Sequence, residues 1–388
     1  MEVFEKALIQ IIASEVFGTD PDNSVKKAPD DELVLELYNL SQKHDLAHLA
    51  GYALDKNNLL PVSTVSDKFR EQVMTAVFLY ESLEFDFSEI CRVLEEARTK
   101  FIPLKGSVLK NLYPQPWMRT SCDIDILVHK EDLEKVTELF EKKSGFVKVS
   151  ASLHDITFRT PGGNLVELHF DLIEEGRSQN AAEILGRVWE FSYPKEKNGY
   201  LYRMNDEMFL LYHIAHIAKH FESGGCGIRS FLDLGIMLDK SQIWSGQAEE
   251  LLEKSGLLVF AKAVRNLCEV WFFGGEHNTV TLRMQEYIMS SGTFGTKSRK
   301  LAARQGRTGG KFRYILSRIF LPFDELKLQF PILEKRAFLT PFCEICRWFR
   351  LAFGKESEKR KKNIGVVKNT SKKDTDEITE FFKMVGLD

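Results

Sequence analysis

From Cys122 to Val128 the chain reads Cys-Asp-Ile-Asp-Ile-Leu-Val, acid alternating with aliphatic. In an extended strand successive side chains leave on opposite faces. Asp123 and Asp125 therefore share one face, and Ile124 and Ile126 the other. Two carboxylates side by side on a strand repel, so a sheet gains nothing from the pair unless a cation sits between them. A hard divalent ion removes the objection, because oxygen is its preferred ligand. The run predicts a half-buried strand with a metal-facing side, and the rest of the chain reads as its support.

Upstream, Phe101–Leu104 is a short apolar strand candidate that turns at Lys105-Gly106-Ser107 into a helix-sized segment. A glycine there leaves backbone N–H groups open to a phosphate at a helix start. Lys105 and Arg119 are the cations that could neutralise the rest of a triphosphate. Downstream, Glu131–Lys142 has the pattern of an amphipathic helix. Phe146–Val149, Ile156–Thr160 and Leu165–Phe170 are further strands, the last two joined by the turn signal Pro161-Gly162-Gly163-Asn164. In the last of these Glu167, His169 and Asp171 alternate onto one face. Glu167 supplies a third carboxylate, and three acids on neighbouring strands can hold two Mg²⁺ ions roughly 3.5–4 Å apart. One ion would lower the pKa of an attacking hydroxyl, the other would neutralise the leaving oxygen. Glu167 is also the candidate general base.

The flanks read as helical. Before residue 98 the longest helix is expected over Ser66–Arg98, with Val73, Val77, Tyr80, Phe87, Ile90, Leu94 and Ala97 inward. Pro29-Asp30-Asp31-Glu32 has the form of a helix start. After residue 203, the helix Asp206–Phe221 carries His213, His216 and His220 at offsets that put all three on one face. They are open to three readings: a transition-metal site, contacts with phosphate or acceptor together with Arg229, or buried residues bonded within the helical packing. Residues 287–323 contain eight Lys or Arg and no acid, from Lys297 to Arg318; this is an RNA clamp or, as we favour, a solvated helix face. Residues 353–373 read as a charged linker, followed by a last amphipathic helix with Ile378, Phe381, Phe382 and Val385 inward. Formal net charge of −3 over 388 residues gives no basic field for a polynucleotide. Six scattered cysteines suit a reducing cytoplasm. The absence of a long apolar run and of a basic, then apolar, N-terminus argues against a membrane partner and a secretory signal.

Taken together, Lys105-Gly106-Ser107, Tyr113, Arg119, Asp123-Ile124-Asp125-Ile126-Leu127-Val128 and Glu167-Leu168-His169 resemble an uncharacterised bacterial nucleotidyltransferase family of the DNA polymerase beta-type superfamily. The likeness continues through His216, His220, Gly225–Arg229, Asp233, Phe330–Leu333 and Leu339–Pro341, covering most of residues 70–350. The spacing from Ser107 to Asp123 is longer than in many members, and the third acid is Glu where Asp is usual. The resemblance implies an α+β fold: a small mixed-sheet nucleotidyltransferase domain (99–203) between an N-terminal helical region (1–98) and a C-terminal helical domain (204–352), with residues 353–388 as linker and terminal helix. It implies Mg²⁺-dependent transfer (Mn²⁺ as the alternative) of a nucleoside monophosphate from an NTP such as ATP to an acceptor. Asp123, Asp125 and Glu167 would be catalytic and metal-binding, and Lys105, Gly106, Ser107 and Arg119 nucleotide-binding. His169, His216, His220 and Arg229 are candidate substrate contacts. The acceptor is read as a small molecule or a protein side chain. Two alternatives stand beside it: an RNA-end or toxin-like nucleotidyltransferase, and a non-catalytic nucleotide sensor on the same fold.

Overall fold

Alternating runs in the middle of the chain build a five-stranded sheet in the order β1-β2-β5-β4-β3. The strands are β1 (Phe101–Pro103), β2 (Asp123–Val128), β3 (Val147–Ala151), β4 (Asp155–Arg159) and β5 (Leu165–His169). β2 and β5 run parallel, and every other pairing is antiparallel, so the sheet is mixed. The computed structural model describes residues 3–20, 30–142, 144–172, 179–293, 295, 297–308, 310–353 and 372–387. The expected linker at 353–373 lies almost wholly outside the described residues.

The alternation sorts the sheet into two faces. Ile124, Ile126 and Val128 of β2, Ile156 and Phe158 of β4, and Val166 and Leu168 of β5 form one core with Val136 and Phe140 of the helix Leu133–Lys142. A second, larger core runs from Ala7 to Val385 and gathers helices from both ends of the chain. It contains α1 (Val3–Phe17), α2 (Asp31–Lys43) and α3 (Ala47–Lys56), together with Asp206–Glu222, Ile228–Lys240 and Leu258–Phe272. Leu127, on the acid-bearing side of β2, belongs to this helical core. The sheet thus turns its polar face toward the helices, and a cleft lies between them.

α4 (Thr64–Glu96) bridges the two cores, with Phe69 in the helical one and Leu83, Ile90 and Leu94 in the sheet one. Its seam differs from the expected stripe. Val77 is exposed, and Val73, Tyr80 and Phe87 are half-buried at the margin, while Phe69, Ala76, Leu83, Asp86 and Ile90 are buried. The seam was disguised because it contains a small residue and a charge. Asp86 accepts hydrogen bonds from Thr160 Oγ1 at 2.7 Å and Asn164 Nδ2 at 2.6 Å, fastening the turn between β4 and β5 to the helix. At the other end Phe69 lies over Gly51 of α3, where an added Cβ would come within 2.9 Å of its ring.

The helix starts follow local rules. Asp30 caps α2 by accepting from Leu33 N–H, Ser63 caps α4 through Ser66 N–H, and Asn205 caps Asp206–Glu222 through Met208 N–H. The last helix, Lys372–Val385, docks with Ile378, Phe381, Phe382 and Val385 buried, as its periodicity predicts. Residues 321–343 form a small separate core around Leu326, Leu333 and Cys343. No helix among the described residues is long and apolar enough to cross a membrane.

Candidate functional site

The parallel register pairs Asp125 with Glu167 and Leu127 with His169. Paired residues of neighbouring strands point the same way, so Asp125, Glu167 and His169 converge. Their ligand atoms lie within 4.8 Å of one another. His169 Nε2 is 2.8 Å from Asp125 Oδ1 and 3.5 Å from Glu167 Oε2. Asp123 stands two residues upstream on the same face, its Oδ1 accepting from Ser121 Oγ at 3.2 Å.

Lys105 enters this group from the end of β1. Leu104 N–H bonds to the Asp125 carbonyl at 3.0 Å, and the chain then turns through Lys105 with φ +42° and ψ −117°. A lysine in that region costs on the order of 1–3 kcal/mol and persists only where its surroundings hold it. Here its Nζ is anchored on Asp125 Oδ1 at 2.9 Å. Gly106 follows because Arg119 Nη1 and Ser121 Oγ pass its Cα, and an added Cβ would meet them at 2.8 and 2.9 Å.

The electrostatics of the cluster are unbalanced. Burial pushes the Asp125 carboxyl up, but Lys105 and His169 more than reverse this and hold it well below the usual range. Burial works against a charged His169, yet hydrogen bonds to Asp125 and Glu167 raise it from 6.5 to about 9. Lys105 is likewise penalised by burial and raised well above its ordinary value by Asp125. Asp123 is pushed up by burial and then by the charge of Asp125. With all three acids ionised, three negative charges face Lys105 and a protonated His169. One negative charge is left over, and Asp125, Glu167 and, once it releases its proton, His169 form a donor set that fits a divalent ion, with Asp123 next to it on the same face.

Facing the cluster is a cleft of about 290 Å³ whose lining includes Asp45, Lys105, Arg119, Asp123, Asp125, Glu167, Tyr212, His213, His216, His220, Arg229 and Asp233. Most of the residues singled out from the sequence therefore meet here, but several are differently engaged. Arg119 clamps Asp233 with Nε at 3.3 Å and Nη2 at 3.0 Å, while Tyr113 Oη donates to the same carboxylate at 2.7 Å. Its guanidinium belongs to an internal lock. Gly106 and Ser107 line a separate, narrow crevice shared with Lys110, Ser121 and Asp123. The Ser107 N–H is already bonded to the Leu104 carbonyl at 3.1 Å, so the side it can offer a ligand is its hydroxyl.

The three histidines separate by role. His213 is buried, with Nε2 2.9 Å from the Ser230 carbonyl, and burial lowers its pKa. That nitrogen must carry a proton toward the carbonyl, which removes it from any shared metal face. His216 and His220 approach each other at 3.0 Å between Nε2 atoms, one donating and one accepting. Burial and then the neighbouring His220 keep His216 well below the usual imidazole range. Arg229 pairs with Asp45 and donates to the Thr120 carbonyl, which also accepts from Arg119 at 3.0 Å. Asp45 was missed by sequence reading. It sits at φ +58° in the turn between α2 and α3, and only that turn hints at it.

Over residues 31–273 the chain matches a family described as "Uncharacterised nucleotidyltransferase", a stretch that contains the lining of the cleft except Thr293. No curated protein and no solved structure matches it.

Proposed function

We propose, from the premise that the chain belongs to the uncharacterised nucleotidyltransferase family, that it transfers a nucleoside monophosphate from an NTP to an acceptor hydroxyl and releases pyrophosphate. The observation that carries this reading is the register of β2 and β5, which sets Asp125 beside Glu167 on the face toward the cleft. Asp123, Asp125 and Glu167 would hold divalent metal, Mg²⁺ or Mn²⁺. Bound there, the metal supplies charge neutralisation at the transferring phosphate and acidity to the acceptor hydroxyl.

The chain's own groups do the rest. Asp125 and Glu167 orient the site, and Glu167, half-exposed at the cleft, receives the acceptor proton. With a divalent ion held at Asp125, Lys105 Nζ would be released from that carboxylate and would neutralise charge on the triphosphate. Ser107 offers its hydroxyl from the neighbouring crevice. Arg119 stays on Asp233 and acts at one remove, by fixing the segment that leads into β2. Tyr212, His216, His220 and Arg229 form the wall we assign to the acceptor.

A small molecule or a protein side chain suits a cleft of this size better than a polynucleotide. The basic segment does not favour RNA, since Arg299 is spent on the Tyr287 carbonyl at 3.0 Å and on Ser290 Oγ at 2.8 Å. Its neighbours Leu301, Ala302 and Ala303 face inward. The six cysteines are free thiols, which fits a reducing compartment that we take to be the cytoplasm.

The test is incubation of the full chain with each α-labelled NTP, a divalent ion and a cell extract. We expect metal-dependent transfer of label to a non-nucleic-acid product, lost in Asp125→Asn. Absence of transfer and of pyrophosphate with all NTPs and ions would sink the reading. Nucleotide binding without turnover, unchanged by that substitution, would leave a sensor in its place.

A further inference from the structure

The acid cluster has a fourth member that an oxygen-only magnesium site does not need. His169 lies on β5 two residues beyond Glu167, on the same face, and its side chain is 12% exposed. Its Nε2 is the atom aimed at the carboxylates, 2.8 Å from Asp125 Oδ1 and 3.5 Å from Glu167 Oε2. Ligands about 2.0–2.2 Å from an ion and adjacent around it sit roughly 3 Å from one another. The imidazole nitrogen lies 2.8 and 3.5 Å from the two oxygens and all three atoms fall within 4.8 Å of one another, so an ion that displaces the Nε2 proton would have all three within reach. Lys105 Nζ, at 2.9 Å from the same Oδ1, is the cation that a dication bound there would compete with.

Resting on the metal-dependent reading above, the geometry points to His169 as a direct metal ligand, so that the site takes Mn²⁺ in preference to Mg²⁺. Mg²⁺ demands oxygen ligands in near-ideal octahedral geometry and gives up water reluctantly. An imidazole nitrogen in the set moves the preference toward first-row transition ions. Mn²⁺ accepts the carboxylates of Asp125 and Glu167 as readily as Mg²⁺ does, and gains from the nitrogen. The sequence shows the same economy: Glu167-Leu168-His169 places an oxygen and a nitrogen donor on one strand face by the period of two alone.

The experiment is pulsed EPR of Mn²⁺ bound to the full chain, prepared once with natural-abundance histidine and once with ¹⁵N-histidine. We expect nitrogen modulation from a directly bound imidazole that changes with the isotope, and its loss in His169→Gln. Competition should show Mn²⁺ binding at least about tenfold tighter than Mg²⁺, with the ratio collapsing in the same variant. The isotope comparison needs no substitution, so a variant that folds poorly does not decide the matter.

Mn²⁺ that is lost in Asp125→Asn but shows no histidine coupling would overturn the assignment, as would coupling that survives His169→Gln. Failure of Mn²⁺ to bind at all would overturn it too. The two readings fail separately. Nucleotide transfer with oxygen-only ligation removes the nitrogen ligand and leaves the transferase, while a histidine-bound Mn²⁺ without transfer does the reverse.

Discussion

Asp125 and Asp233 are both 2% exposed, and each faces a half-buried cation across about the same gap, Lys105 at 2.9 Å and Arg119 at 3.0 Å. They nevertheless do different things. Asp233 is closed: a bidentate arginine and a tyrosine hydroxyl satisfy its oxygens, and the group is neutral as a whole. Burial pushes its carboxyl up, and Arg119 more than offsets that. It joins the segment before β2 to the helix Ile228–Lys240, and such a lock contributes rigidity. Asp125 is open. It shares its face with Asp123 and Glu167, so its two cationic partners do not balance the local charge. A buried group that is fully paired serves the fold, and one left with surplus charge beside a cleft is poised for a ligand.

The substitution that separates the two most sharply is Asp125→Asn. It keeps the shape and removes the charge, and transfer should fall by roughly 10³-fold or more, the loss of several kcal/mol of charge stabilisation. Lys105 and His169 lose the carboxylate they share, so the urea midpoint should also fall, but Glu167 and Asp123 remain to face them and keep that loss the smaller of the two. Asp233→Asn should hardly touch the charge at the cluster and should cost more in stability. It strands the Arg119 guanidinium in a buried site, and a stability loss of about 3–5 kcal/mol is expected, read from the same urea titration. Equal stability losses in the two variants would erase the distinction.

The open cluster should also reveal itself through pH. His169 holds its proton more tightly folded than unfolded, about 9 against 6.5. The stability it contributes is therefore fully present below pH 6.5 and is lost as pH rises through 9. Asp125 has the opposite sign: its depressed pKa contributes above the unfolded value of 3.8 and is lost as pH falls below that. The metal-free protein should be most stable between these limits and lose about 3 kcal/mol toward pH 9. His169→Gln should flatten that alkaline slope, and a slope unchanged by the substitution would mean that the imidazole is not charged in the fold. Asp233, whose hydrogen-bonded partners Arg119 and Tyr113 both titrate well above neutrality, should not contribute to that alkaline slope.

The sequence made half of this comparison readable. Period-two alternation is local, so β2, β5 and the faces of Asp123, Asp125 and Glu167 could be read directly, as could the helix start at Asp30. The parallel register that sets Asp125 opposite Glu167 could not, because strand pairing across 42 residues is decided by the whole sheet. Arg119 was assigned to a triphosphate because an arginine near a phosphate turn suits one. Its engagement with Asp233, 114 residues away, depends on how the helix Ile228–Lys240 packs. The α4 seam was obscured for a related reason: Ala76 and Asp86 carry no hydrophobic signal, and only the partners Thr160 and Asn164 explain why a carboxylate is buried there. His213 was grouped with His216 and His220 by spacing alone, and the Ser230 carbonyl that claims it lies on another helix.

The smallest expected effect tests where the lock ends. Arg229 and Asp45 form a third ion pair at the rim of the same cleft, but the Asp45 side chain is 47% exposed. Water screens such a pair, and exposed pairs contribute about 0–1 kcal/mol. Arg229 also keeps its bond to the Thr120 carbonyl when the acid is removed. Asp45→Ala should therefore lower the unfolding free energy read from the urea titration by less than about 1 kcal/mol, and by less again at high salt. If the loss instead matched that of Asp233→Asn and ignored salt, Arg229 would have to be counted with Arg119 as part of one closed network joined through Thr120. The wall proposed for the acceptor would then have lost its arginine, leaving His216, His220 and Tyr212 to meet the hydroxyl that the proposed transfer requires.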